Sequence, residues 1–331
     1  MADPITRQGS ADVLVDDQWS NELLDEATQQ SIVLRTMNVQ RGINRKRVKY
    51  RVRAEFPEAQ FVGEARTEPA SVTDDDTPAG DPVVNKPVSG MLWDNRTMTI
   101  EEIAVLVPVH EDVVNDARDG GFNLDADVQT ACAEAIACRL DEAVLFGAAP
   151  QRPLTWGPAL APAAVAAGNV VTGGVLPDLA ADFNAAFSLV EEDRFRPDRV
   201  LSSVAIEGAL RGLRDDNGQP LYAPSIRDGV AVDTIWGRQI ATDEFGIWDD
   251  TYIALVGASR FCHIGIREDI SVQVSNQVTY TDPATGVLVS AFERDEVVLR
   301  FKFRVGFLTA FSARKGRPAN AFPFAVITAA P

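Results

Sequence analysis

Hydrophobic positions recur along this chain at two periods, and the longest helical run is Asn123 to Gly147, NLDADVQTACAEAIACRLDEAVLFG. Leu124, Val128, Ala131, Cys132, Ala135, Ile136, Leu140, Ala143 and Val144 fall at three- and four-residue steps, which predicts one apolar helix face. Val128, Cys132, Ile136 and Leu140 are its expected core row. Asn123 suits the N-cap, Asp125 and Asp127 the positive end of the dipole, and Gly147 a left-handed stop. Such a helix runs roughly 36 Å at 1.5 Å per residue. Shorter helical patterns occupy Trp19–Leu34, His110–Asp119, Pro177–Asp193 and Ala205–Asp215.

Period two appears before and after this helix. In RKRVKYRVR, Arg45, Arg47, Lys49, Arg51 and Arg53 share one parity and Val48, Tyr50 and Val52 the other, so a strand with a basic face is expected. Lys46 breaks the pattern at its start. A return leg follows at Val88 to Val109, whose apolar parity slips at Glu101-Glu102, predicting a bulge or a change of strand. Between the legs, Glu64 to Val84 has the composition of an exposed loop, with Asp74, Asp75 and Asp76 at a tip expected to be mobile. A two-stranded excursion of this kind is marginally stable alone and needs something to lie on. Pro150 to Asn169, rich in Pro, Ala and Gly, reads as a connector. Further strands are expected at Arg199–Ser203, Thr234–Thr242, Tyr252–Gly257, Phe261–Arg267, Ile270–Ser275 and Glu296–Phe307.

Composition narrows the function. The net charge of −17 opposes nonspecific binding of nucleic acid over the whole surface. It also requires identical subunits to segregate opposite charges if they are to associate. The basic 45–53 face is therefore expected to meet carboxylates, either Glu101 and Glu102 on its own return strand or those of a neighbour. Three cysteines give no disulfide framework, and Cys132 and Cys138 lie on different faces of one helix, so a reduced intracellular protein is expected. No apolar run is long enough to span a membrane, and the first residues lack the regions of a signal peptide.

The search for chemistry returns nothing. His110 and His263, the only histidines, have no Cys or His at metal-ligand spacing. Val256-Gly257-Ala258-Ser259-Arg260 lacks the second glycine of a nucleophile elbow, and no phosphate-binding glycine motif occurs. The EF-hand-like spacing of Asn123, Asp125, Asp127 and Glu134 has Val128 where glycine is required. We expect no metal, no cofactor and no enzyme, but a chain made for self-assembly.

Several stretches, in order, resemble the major capsid proteins of tailed double-stranded-DNA phages, with the Hong Kong 97-type fold. They are Trp19 to Thr28, Phe61 to Glu64, Thr99 to Asp116, Ala135 to Gly147, Leu210 to Leu221, Thr251 to Arg267 and Phe292 to Phe307. The resemblance implies an α+β subunit. It would comprise an N-terminal arm and short helix (1–40), an E-loop (41–108), a spine helix of the P-domain (109–147), an A-domain (148–268), P-domain strands (269–307) and a C-terminal return to the A-domain (308–331). It further implies hexamers and pentamers closing into an icosahedral shell around packaged DNA, with only weak nonspecific DNA contact, assembled in the host cytoplasm. Scaffolding, portal and decoration proteins are the other partners it admits, and no membrane is among them. An encapsulin-like compartment enclosing an enzyme is the alternative of the same fold, which the long 45–109 excursion disfavours. Some relatives crosslink an E-loop lysine to a neighbour's asparagine. Here Lys86 is the only outer-loop lysine and residues 293–319 contain no asparagine, so no crosslink is expected.

Overall fold

The computed structural model describes residues 31–57, 89–119, 124–148, 152–173, 178–213, 225–227, 230–232, 234–282 and 285–329. The expected loop tip Asp74–Asp76, the stretch Phe61–Glu64, Lys86, Asn123 and most of the Trp19–Leu34 helix lie outside them.

In chain order the elements are α1 (Ile32–Thr36), β1 (Asn38–Gln40), β2 (Arg47–Arg53), β3 (Trp93–His110), α2 (Glu111–Asp119) and the long α3 (Leu124–Leu145). After these come α4 (Leu160–Ala167), β4 (Val170–Thr172), α5 (Leu179–Glu192), β5 (Arg199–Ser203), α6 (Ala205–Gly212), β6 (Ser225–Arg227), β7 (Val230–Val232), β8 (Thr234–Ile235), β9 (Arg238–Asp243) and β10 (Tyr252–Gly257). The chain ends with β11 (Cys262–Ser275), β12 (Thr279–Thr281), β13 (Leu288–Ser290), β14 (Glu296–Thr309) and β15 (Phe324–Thr328).

The long strands make a five-stranded sheet ordered β1-β11-β14-β3-β2. β11 runs unbroken from Cys262 to Ser275, with its register to β14 shifting on either side of Glu268. The two strands expected at Phe261–Arg267 and Ile270–Ser275 are thus one, and the expected domain boundary at 268/269 falls inside it. Spine helix α3 packs its buried side on this sheet: Cys132, Ile136, Leu140 and Val144 share a core with Ile264, Ile270, Phe301, Phe303 and Phe307. Val128, one turn earlier, is half-buried against the same core.

A second sheet is ordered β4-β15-β10-β5-β9-β8. Its alternate residues serve different cores. Leu201, Ala241, Leu255, Phe324 and Val326 join the spine core, while Val200, Ile240, Ala254, Val256, Ala325 and Ile327 face α5 and α6. Burial on both faces explains why β10 reads YIALVG with no polar alternation.

Two expectations are corrected. The connector at 150–169 contains α4, LAPAAVAA, whose Leu160, Ala161 and Ala164 are buried against the spine core. Pro162 is tolerated because it sits in the first turn, where no helical N–H bond is lost. On α3, Ala131 and Ala135 are exposed, whereas Ala133 and Ala137 are buried. The buried stripe is therefore rotated toward Ala133, Ala137 and Asp141. Alanines on every side of this helix leave its facing weakly marked in sequence.

Candidate inter-subunit surface

β2 pairs antiparallel with the first part of β3, from Arg47↔Thr99 to Arg53↔Trp93. From Ile100 onward β3 changes partner and pairs with β14 instead, ending at His110↔Glu296. Met98, Thr99 and Ile100 are all buried at this handover. Both faces of the strand are covered there, and the apolar parity slips just beyond it. The anticipated change of strand is a change of partner along one continuous strand of 18 residues.

Glycine makes the crossing close. Gly265 of β11 and Gly306 of β14 lie opposite one another, and Met98 sits over them. A Cβ on Gly306 would stand 2.8 Å from the Thr99 carbonyl oxygen, and one on Gly265 would meet the ends of Met98 and Ile43.

The even residues of β2 face inward. Val52 is buried, and the Tyr50 ring stacks on His263 of β11 at a centroid distance of 5.0 Å, its hydroxyl donating to Gln40. Burial lowers the His263 pKa from its ordinary value, favouring the neutral ring. The odd residues face out: Arg45, Arg47, Lys49 and Arg51 are exposed and Arg53 is half-buried. Their cross-strand neighbours on β3 are Thr99, Thr97, Asn95 and Trp93, none of them acidic. Among the described residues no carboxylate pairs with Arg47, Lys49 or Arg51.

Glu101 and Glu102 do not meet that face, which corrects the own-strand alternative. β2 stops at Arg47↔Thr99, short of both. Glu101 lies 3.6 Å from Lys46, the residue that broke the basic parity, and accepts from the Thr155 hydroxyl at 3.1 Å. Glu102 stands opposite Arg304 on β14 and pairs with it at 3.0 Å. Arg304 also reaches Glu268 at 3.0 Å, and Glu268 takes Lys302 at 2.7 Å. The hydrogen bond from Lys302, aided by both cations, holds the Glu268 carboxyl below its usual range.

A buried carboxylate not singled out in the sequence ties the chain entering this surface to the spine. Asp141 of α3 is 2% exposed. It accepts from the Ser31 hydroxyl (2.6 Å) and the N–H groups of Ile32 (2.8 Å) and Val33 (3.2 Å), closing the N-terminus of α1. Burial outweighs these bonds and pushes its pKa up to about 7. The sequence signal was an aspartate on the core-facing stripe.

The cysteines are free, with burial pushing the thiol of Cys138 up to about 11 and that of Cys262 up to about 12, so neither is poised as a nucleophile. Among the described residues, no His, Cys, Asp and Glu group of three or more is gathered for a metal, and no helix is long and apolar enough to cross a membrane.

The phage capsid family matches residues 11–310. A solved structure from Microbacterium phage Oxtober96 is similar at 34% identity, with 91% of each chain covered and a TM-score of 0.74. One from Mycobacterium phage Bobi is similar at 31% identity over 99% of each chain, with a TM-score of 0.72. A capsid chain of an empty GTA particle shares the fold at 16% identity, over 91% of this chain and 90% of that one, with a TM-score of 0.54. No curated protein matches significantly. A chain built around a long spine helix, a five-stranded and a six-stranded sheet and an exposed cationic edge strand thus belongs to the phage capsid family, as a major capsid protein and structural subunit of the icosahedral shell.

Proposed function

We propose that the chain assembles as hexamers and pentamers, with the outward cations of β2 set against carboxylates of the adjoining subunit. The observation that carries this reading is a row of exposed cations with no acidic partner among the described residues, in a chain of net charge −17. Each exposed pair contributes only ~0–1 kcal/mol, so a row of them repeated at every contact is what gives the surface weight. In this reading β2 and the part of β3 paired with it, within residues 41–108, are laid over a neighbour, while 109–147 and 269–307 form the peripheral unit and 148–268 with 308–331 the unit around the capsomer axis. The shell closes around double-stranded DNA in the host cytoplasm, acting as a container and not as an enzyme. Contact with the DNA is weak, because a strongly acidic subunit gains little from phosphate.

Negative-stain microscopy of the purified chain tests the reading directly. Closed shells or six- and five-membered rings are the expected result, and a population of monomers at all concentrations would overturn it. Nuclease protection of a defined DNA length inside shells recovered from infected cells separates a DNA container from a compartment for protein cargo.

A further inference from the structure

Charge is divided between the two ends of the six-stranded sheet. Gly257 at the end of β10 pairs with Arg199 at the start of β5 and with Phe324 at the start of β15. One end of the sheet thus gathers the segments that flank these strands. Arg194 and Arg196 after α5, Arg260 after β10, and Arg314 and Lys315 before β15 are exposed there. Among the described residues no carboxylate pairs with any of them. Glu191 and Glu192, exposed in the last turn of α5, leave the balance positive. The outermost piece is held in shape. Arg317 N–H donates to the Arg314 carbonyl at 3.2 Å across a turn in which Gly316 has a φ of +76°. The Arg317 side chain donates to the carbonyls of Ser312 (2.7 Å), Arg194 (3.1 Å) and Asp193 (3.3 Å) and lies 3.8 Å from the centre of the Phe195 ring. Arg314 and Lys315 are therefore presented on a fixed turn. That turn sits beside the end of β2, where Ala313 N–H donates to the Arg53 carbonyl at 2.7 Å.

The other end is acidic. Ser203 and Asp243 lie side by side at the ends of β5 and β9, and β10 begins there at Tyr252. A groove of about 580 Å³ opens between α5 and α6 at this end. Leu179, Ile206, Trp248 and Ile253 form its floor, and the exposed Asp178 and Asp250 its rim. A second hollow, sharing Ser203 and Ala205 with the first, is edged by Glu207 and Glu244. Among the described residues no cation pairs with these four carboxylates. Arg35 reaches this end and donates to the Thr242 carbonyl at 3.0 Å. An apolar floor under an acidic rim suits a lysine or arginine, whose aliphatic stem lies on the floor while its head meets the rim.

We propose that the turn Arg314–Gly316 of one copy docks into the groove between α5 and α6 of the next, with Lys315 between Asp178 and Asp250 and Arg314 toward Glu207 and Glu244. The proposal rests on the capsid reading. One chain cannot satisfy itself, because the turn and the groove lie at opposite ends of β5, a strand of 5 residues and so roughly 17 Å long. The turn shares a side of the subunit with the end of β2 and faces the same neighbour as that strand. The groove, at the far end, is left for the neighbour behind. Repeated, this contact is head-to-tail and closes as a ring. DNA phosphates would satisfy the cations and leave the acidic groove empty, whereas one contact between copies satisfies both.

Two charge-reversed chains test it. Arg314→Glu with Lys315→Glu makes the turn acidic, and Glu244→Lys with Asp250→Lys makes the groove basic while sparing the Asp178 cap of α5. Each chain alone should lose assembled fraction about tenfold. Mixed in equal amounts they should recover wherever the two alternate, since each turn then meets a groove of opposite charge. A six-membered ring can alternate and a five-membered ring cannot. The mixture should therefore give hexamers and open sheets or tubes, while all four substitutions in one chain should give closed shells. Melting temperatures of the soluble variants check that each one folds. A second arm links the two sites directly. Lys315→Cys with Asp250→Cys, treated with a short bismaleimide that replaces the lysine stem, should give dimers and higher multimers. The yield should be roughly tenfold above that of Lys315→Cys with Asp116→Cys, whose second cysteine lies on α2. The unsubstituted chain, carrying only Cys132, Cys138 and Cys262, is the blank. Normal shells from either reversed chain overturn the proposal and leave the capsid reading intact; if those shells also lose packaged DNA when the turn is reversed, the cations face the genome. Closed shells from the mixture overturn the head-to-tail arrangement, and a faster-migrating linked monomer overturns the assignment to a neighbour. Where a reversal unfolds the chain, the link alone decides. If the unsubstituted chain forms no particles the capsid reading fails, and absence of the link from whatever soluble species remains overturns the proposal as well.

Discussion

Asp141 is a carboxyl buried in the spine core, and its surroundings show what it is for. Two backbone N–H groups at the start of α1 and the Ser31 hydroxyl converge on one carboxyl that water does not reach. Asp141→Ala would leave those donors buried without an acceptor, at a cost of about 2–5 kcal/mol, readable as a lower urea midpoint. The pH dependence has a definite sign. Its folded pKa of about 7 lies above the ordinary 3.8, so the native chain holds the extra proton between those values. The group's contribution is fully present below about pH 4, declines as pH rises through about 7, and is level above that. Urea midpoints of the parent and of Asp141→Asn should therefore diverge against the parent between pH 4 and 7. A constant gap across that range would mean that the carboxyl titrates in its ordinary place.

At the scale of elements, the handover of β3 from β2 to β14 is what projects the cationic strand, and it depends on close approach at two glycines. Gly306→Ala drives a methyl against the Thr99 carbonyl, which accepts the Trp156 indole N–H at 3.1 Å, and should cost about 1–3 kcal/mol. Gly265→Ala meets the flexible ends of Met98 and Ile43 and should cost less, so the order of the two melting temperatures tests the crossing. On α3, Ile136 is 1% exposed, and Ile136→Ala should cost about 2–5 kcal/mol. Ala135→Ser, one residue away on the exposed side, should leave the melting temperature unchanged. Equal losses would mean that α3 does not face the sheet as described. Much of this was legible in sequence. The alternation of β2 and of the middle of β14, from Leu299 to Val305, and the four-residue spacing of Cys132, Ile136 and Leu140 each report a buried side against a more solvated one. What was hidden has physical causes. Periodicity reports burial and not pairing, so a parity slip could not distinguish a bulge from a new partner. An alanine-rich helix such as α4 carries too little contrast to be told from a connector. Register decides which carboxylate meets which cation, and nothing local in Glu101 or Glu102 announced that they lie beyond the end of β2.

For the molecule as a whole, the second sheet serves two cores at once, so the spine side and the α5–α6 side share structural strands instead of being joined by a linker. A body coupled in this way passes a load on β2 through β3 and β14 to the spine helix. Charge then decides how such bodies meet. A subunit of −17 with its charges evenly spread would assemble better as salt rises, because screening relieves repulsion between copies. A subunit that associates through the β2 cations should do the opposite, since the Debye length falls from about 10 Å at 0.1 M to about 3 Å at 1 M and the attraction fades with it. Combined Arg47→Glu, Lys49→Glu and Arg51→Glu removes the attraction and adds repulsion, so that variant should fail to assemble at low salt. Its residual association should rise with salt while that of the parent falls. Light scattering across a salt series reads both curves, with melting temperature confirming that the exposed substitutions leave the fold alone. Parallel curves for parent and variant would show that the basic strand is a solvated face and that the subunits recognise one another elsewhere.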